Sequence, residues 1–212
     1  MTVLPAPRVL SVNVGGPRSI TSGRHLVDTA IFKTPVDGRV LVRGVNIDGD
    51  TQADRTVHGG PDKAAYAYAN EEITTWEIEL RHELGPPFGE KLTTQGLDVT
   101  DAMIGERWHL GTPVLEVAQP RLPCFKLGLR MGDSAFVKRF ARASRPGAYL
   151  RIIEEGEIGA GDAVTVTDLP THRITSRMVF DAILLDHTLI PEVRHAAQLP
   201  ATLRRWLITR SS

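Results

Sequence analysis

Residues 147–169 read GAYLRIIEEGEIGAGDAVTVTDL. GAYLRIIEEG and GDAVTVTDL are short runs rich in Ile, Leu and Val, and Gly159 and Gly161 bracket a turn ahead of the second. Short apolar runs punctuated by glycine read as strands. Arg151 lies between Leu150 and Ile152, so the period of two turns it to the opposite face of its strand. The same texture runs upstream, in RVLSVNV (8–14), HLVDTAIF (25–32), GRVLVRGVNI (38–47), AAYAYA (64–69), IGERWHLG (104–111) and PVLEVAQP (113–120). Many short strands with few long helices predict a closed β-barrel or a sandwich.

Helical signals interrupt this pattern. NEEITTWEIELRHELG (70–85) offers Asn70 as a cap, Glu71 and Glu72 for the positive end of the helix dipole, and Gly85 as a stop. Ile73, Trp76, Leu80 and Leu84 then share one face. A second helix starts near Asp133, with Phe136 and Phe140 one turn apart. Beyond Pro170 the segments TSRMVFDAILLDHT, PEVRHAAQL and PATLRRWLITR all read as helices, two of them opened by proline. The expected organisation is a β-rich domain over 1–170 and a small three-helix module over 171–212.

Composition narrows the function classes. The 212 residues are 42% hydrophobic and 24% charged, and 25 basic residues balance 25 acidic ones. A net charge of zero gives no bulk electrostatic attraction to nucleic acid or a membrane surface. No stretch approaches the ~18 consecutive apolar residues of a spanning helix. The single cysteine, Cys124, excludes an internal disulfide, a four-cysteine zinc site and an all-cysteine iron–sulfur cluster. A lone thiol suits a reducing compartment, and the opening MTVLPAPRVLSVNVGG does not read as a signal peptide, so the expected location is the cytoplasm.

That cysteine stands in QPRLPCFKLGLR (119–130), with Arg121 and Lys126 close by and Pro123 suited to the first turn of a short helix. A lone cysteine is most often a small buried hydrophobe. Here a helix N-terminus and two cations would favour the thiolate, which is a nucleophile or a soft metal ligand. DGDTQADRTVHGGPDKA (48–64) reads either as a polar surface loop or as an anion cradle in which the Gly59–Gly60 backbone is flanked by His58 and Lys63. It does not fit an EF-hand beyond its opening Asp-x-Asp. PPFGEKLTTQGL (86–97) taken alone is a loop, and Arg151 taken alone is a surface arginine. The other histidines show no metal-binding spacing, and VGGPRS (14–19) is no complete phosphate loop.

Together, GDTQADRTVHGGPDKA, FGEKLTTQGL, IGERWHLG, QPRLPCFKL and GAYLRIIEEGEIGAGD resemble, in order, the segments of MOSC-domain proteins, relatives of the C-terminal domain of molybdenum cofactor sulfurases. The resemblance is greatest to the YiiM-like branch, which adds a three-helix C-terminal module. It implies a mainly β, MOSC-type barrel with peripheral helices and a bound molybdopterin cofactor whose molybdenum is ligated by Cys124. It also implies two-electron reduction of N-hydroxylated compounds such as hydroxylaminopurines and amidoximes. His58, Gly59, Gly60, Lys63, Arg121, Lys126 and Arg151 carry over as residues of the cofactor pocket. Three positions depart from the family pattern: Lys91 where asparagine is usual, and Thr51 and Ala30 where glycine is usual.

With one cysteine and no GxGxxG loop, the chain needs a separate reductase to deliver electrons. The pyridoxal phosphate of the sulfurases belongs to another domain, so no Schiff-base lysine is expected here. The partners expected are that reductase and a small N-hydroxylated substrate, with no nucleic acid and no membrane. Two other readings stay open: a carrier holding the cofactor or a persulfide on Cys124, and a cysteine hydrolase pairing Cys124 with His58.

Overall fold

The computed structural model describes residues 5–53 and 59–210. Thirteen strands form: β1 (Arg8–Val14), β2 (Arg18–Ser22), β3 (His25–Thr29), β4 (Thr34–Pro35), β5 (Arg39–Arg43), β6 (Asn46–Ile47), β7 (Ala65–Ala69), β8 (Leu92–Gln95), β9 (Arg107–Leu110), β10 (Val114–Gln119), β11 (Ala148–Glu154), β12 (Gly156–Gly159) and β13 (Val164–Thr167). Eight of them make the main sheet, in the order β13-β9-β10-β11-β7-β8-β1-β4. Every pairing in it is antiparallel except β7 with β8. That parallel pair needs a crossover, supplied by helix α1 (Asn70–Leu80).

The fold class is the expected one, mostly sheet with peripheral helices, but the barrel does not close through a continuous ladder. The two sides meet at an isolated Arg8–Ala163 bridge. Backbone bonds Val9 N–H to Asp162 O (2.8 Å), Gly161 N–H to Val9 O (2.8 Å) and Val164 N–H to Pro7 O (2.9 Å) support that bridge. Register shifts within β1 and between β10 and β11 add the local twist that curls the sheet.

β7 divides two interiors. All five residues of AYAYA are buried. Ala65, Ala67 and Ala69 face an aliphatic core that includes Val9, Leu92, Leu115 and Ile158. Tyr66 and Tyr68 face the other way, into an aromatic cluster with Trp76, Phe88, Phe136, Phe140 and Phe180. Strand alternation thus sends small side chains to one layer and large rings to the other.

The helices differ in detail from expectation. Ala69, with an extended backbone, occupies the N-cap of α1 and makes no side-chain cap, so Asn70 is the first helical residue. The helix stops at Leu80 rather than near Gly85, because Arg81 turns left-handed (φ 60°) and donates its N–H to Glu77 O at 2.7 Å. Cys124 is the N-cap of α2 (Phe125–Met131), which leaves Pro123 outside the first turn. α3 (Phe136–Ala143) buries Phe136 and Phe140.

Beyond Pro170 come α4 (Ser176–Leu184), α5 (Ile190–Val193) and α6 (Ala201–Thr209). Thr175 caps α4 by accepting the Met178 N–H at 3.2 Å. Ile174, Val179, Ile190, Leu199 and Leu207 belong to the same aliphatic core as the strands, so packing continues across Pro170 although the secondary structure changes there. Among the described residues, no helix is long and apolar enough to cross a membrane.

Candidate functional site

The loops that follow β3, β6 and β10, and the one that precedes β8, converge with β7 and β11 around an open cleft. Close approach of two of these loops explains one glycine. Gly89 has φ 79°, and a Cβ there would stand 2.8 Å from Ile31 Cγ1, so a side chain would push the two loops apart.

Cys124, Lys63, Arg121 and Lys126 all line this cleft, although they come from segments 58 to 63 positions apart and their immediate neighbours. Lys33 and Lys91 line it too, and among the described residues Asp50 is its one acidic group. Five basic side chains against one carboxylate make the cavity strongly cationic. Cys124 is a partly exposed thiol at the N-cap of α2, and its carbonyl accepts the Leu127 N–H at 2.9 Å. Lys126 Nζ donates to Asp28 O at 2.9 Å, which ties α2 to β3.

Arg121 is the most constrained of these groups. It is only 5% exposed. Its guanidinium lies 5.6 Å from the Tyr66 ring centroid and 5.4 Å from that of Phe140. Two π faces stabilise a desolvated cation and fix its plane. Its Nη1 is buried without a hydrogen-bond partner among the described residues. A buried unsatisfied donor is costly, and in a cavity wall it marks a place for an acceptor from a ligand. Behind this wall Glu90 is fully buried; its Oε2 accepts the Phe88 N–H at 2.8 Å, while Oε1 has no partner among the described residues. Burial pushes its carboxyl up to about 7, against the weaker opposing pull of its backbone hydrogen bonds and of Arg121 and Arg130. Burial likewise raises the phenols of Tyr66 and Tyr149.

Other expected site residues are placed differently. His58 lies outside the described residues. Gly59 and Gly60 are not part of the lining. The Gly60 N–H, expected to be free for an anion, donates instead to Gln52 Oε1 at 3.2 Å. Arg151 does not line the cleft either. It pairs with Asp62 (2.8 Å) and Glu116 (3.1 Å) and donates to Gln198 O at 2.8 Å. Its reach is spent on the turn next to Lys63 and on the C-terminal helices, so it supports the wall from outside.

Several lining residues escaped the sequence reading. Lys33 and Tyr66 lie outside the quoted motifs, and Gln52, Phe88 and Tyr149 lie within them without being singled out; the buried pairing of β7 with β11 brings the two tyrosines together, at 5.2 Å between ring centroids. The three departures, Lys91, Thr51 and Ala30, all fall on the lining. Among the described residues no histidine lines the cleft and no group of three metal-ligating side chains forms.

Residues 54–165 match the family model of the MOSC domain. The Bacillus subtilis (strain 168) protein named "Uncharacterized protein YflK" is 38% identical over 72% of this chain and 70% of its own length. "Protein YiiM" of Escherichia coli (strain K12) is 32% identical over 62% of this chain and 61% of its own length. A Gibberella moniliformis protein named "Reductase" is 30% identical over 93% of this chain, which spans only 36% of that longer protein. The crystal structure of YiiM from Geobacillus stearothermophilus superposes with a TM-score of 0.80 at 26% identity, covering 97% of this chain and all of that one. By domain match, sequence relatives and fold alike, the chain belongs to the MOSC-domain family, as a YiiM-like member.

Proposed function

We propose that this chain is a molybdenum-cofactor-dependent reductase of N-hydroxylated compounds, with the cofactor held in the cationic cleft and its molybdenum ligated by Cys124. MOSC domains are associated with molybdenum-cofactor binding, and the residues of the cleft fit such a group. The observation that carries the reading is the buried Nη1 of Arg121, without a partner among the described residues, in the wall of the cavity that also contains the only cysteine. A thiolate is a soft donor suited to molybdenum, and a dianionic phosphate suits a wall rich in ammonium and guanidinium groups.

When bound, the cofactor supplies two-electron chemistry at a metal that accepts oxygen; the protein supplies binding, orientation and electrostatics. Cys124 would hold the metal, and Arg121, Lys63 and Lys126 would hold the anionic groups. Tyr66 and Phe140 keep the Arg121 plane fixed, so little reorganisation is needed when an anion arrives. In the overall reaction an N–OH group, two electrons and two protons give N–H and water. A single cysteine cannot build an all-cysteine iron–sulfur relay within these 212 residues, so the electrons reach the cleft from a reductase outside them.

The test is made on protein from a host that synthesises the cofactor. The reading expects about one molybdenum per chain and conversion of benzamidoxime to benzamidine with an artificial electron donor. Molybdenum without turnover would indicate a carrier instead, and absence of molybdenum from such a preparation would overturn the cofactor assignment.

A further inference from the structure

Lys33 and Lys91 share a single carboxylate. Asp50 has a fully buried side chain; its Oδ1 is in direct contact with Lys33 Nζ and accepts the Gly15 N–H at 2.9 Å, and its Oδ2 lies 3.1 Å from Lys91 Nζ. The two lysine side chains are 5% and 7% exposed, and all three residues line the cleft. Lys91 is fully engaged, since it also donates to Asn46 Oδ1 (2.5 Å) and Ala64 O (2.7 Å). Lys33 is not: among the described residues its ammonium bonds Asp50 alone. One carboxylate therefore faces two buried ammonium groups, and one of them keeps N–H bonds open on the cavity wall. Glu90, whose charge also acts on Lys33, is outside the lining.

Burying an uncompensated charge costs several kcal/mol, so the arrangement favours an incoming counter-charge over loss of a proton from one of the ammonium groups. A purely structural triad would be neutral, as a single Lys33–Asp50 pair would be; Lys91 adds a second ammonium to the one carboxylate. We propose that the Lys33–Asp50–Lys91 wall is an anion subsite of the cleft, which takes a phosphate or carboxylate carried by the molecule bound there. Lys33 makes the contact and Lys91 positions it, by occupying one oxygen of Asp50. If the anionic group belongs to the substrate, the favoured substrates are N-hydroxylated compounds that also carry a phosphate or carboxylate; if it belongs to the cofactor, the wall anchors the cofactor's phosphate. The identity of the ligand rests on the reductase reading, whereas the subsite itself does not.

The cofactor-free full chain is titrated calorimetrically with inorganic phosphate, with circular dichroism as the folding control. Binding should weaken about tenfold in Lys91→Asn and at least as much in Lys33→Gln, as for removal of one charge from a desolvated pair. Should one variant fail to fold, the other carries the test. The two sources are then separated on loaded protein by molybdenum content and by KM for 4-carboxybenzamidoxime against benzamidoxime. A fall in molybdenum content in Lys91→Asn assigns the subsite to the cofactor. Unchanged molybdenum with a roughly tenfold rise in the carboxylated-to-neutral KM ratio assigns it to the substrate. Phosphate affinity equal to wild type in the folded variants, or no phosphate binding by the wild type, overturns the subsite. Phosphate binding that depends on Lys33 and Lys91 in a chain that reduces no amidoxime would retain the subsite and sink the reductase reading.

Discussion

The two interiors on either side of β7 solve different problems. The aliphatic core, reached by Ala65, Ala67 and Ala69, is built from Val, Leu, Ile and Ala of the strands and of the C-terminal helices. The aromatic cluster, reached by Tyr66 and Tyr68, borders the cleft and carries ionised groups at its edges. Arg121 lies against Tyr66 and Phe140, and Arg145 lies 4.2 Å from the Trp76 ring centroid. Tyr66 and Tyr68 donate their hydroxyls to Pro146 O (2.9 Å) and Arg145 O (3.0 Å). An aliphatic layer offers a buried cation nothing, whereas ring faces stabilise it and phenols find partners. One layer holds the sheet together; the other makes a rigid, cationic wall tolerable.

Paired truncations would break or sharpen this division. Phe140→Ala should cost about 3–5 kcal/mol and Leu115→Ala about 2–5 kcal/mol, measured by chemical denaturation. The two losses are similar, but only Phe140→Ala removes a ring from Arg121. Phosphate affinity measured well below the melting temperature should therefore fall in Phe140→Ala and hold in Leu115→Ala. Equal loss in both variants would mean that the cleft depends on global stability and not on its aromatic wall.

A smaller effect separates the layers by pH. Burial raises the Glu90 and Glu72 carboxyls from 4.5 to about 7. Between those values the unfolded chain has lost protons that the folded chain still holds, so stability declines as pH rises from about 4.5 to about 7. Lys91 acts in the opposite sense: burial lowers it from 10.5 to about 8, so its contribution makes stability rise between those values. In Glu90→Gln the decline from pH 4.5 to 7 should be shallower, leaving the shares due to Glu72 and Glu106, whose carboxyl burial also raises. An unchanged slope in denaturant midpoints across that range would remove Glu90 from the account.

The same contrast explains what the sequence made legible. Alternating Val, Ile and Leu marked most strands of the aliphatic layer, from RVLSVNV to GDAVTVTDL, because the period of two is local. The aromatic cluster gathers residues from Tyr66 to Phe180, and no local pattern links them. Within the cleft, the basic neighbours of Cys124 were readable as such, and Lys91 was readable as a departure. Lys33 was not, because its significance comes from Asp50 and the tertiary packing that buries both. The Gly60 N–H and Arg151 misled for a related reason: both are polar groups beside the right segment, yet each is consumed by a neighbour, Gln52 in one case and Asp62 and Glu116 in the other. The expected barrel does not close through a continuous ladder: its two sides meet at an isolated bridge, a long-range feature that periodicity does not encode.

The smallest expected change in stability belongs to the most decisive measurement. Cys124→Ser is nearly isosteric at a partly exposed N-cap, and should cost about 1 kcal/mol or less. A serine hydroxyl stays protonated near neutral pH and is a hard donor, so it does not replace a thiolate on molybdenum. Wild type and Cys124→Ser, both made in a cofactor-producing host, are compared for thermal melting, molybdenum content and benzamidoxime reduction. The account predicts near-identical melting and, in the serine variant, loss of the metal-dependent turnover. Full turnover in Cys124→Ser would contradict it and return Cys124 to the status of a packing residue.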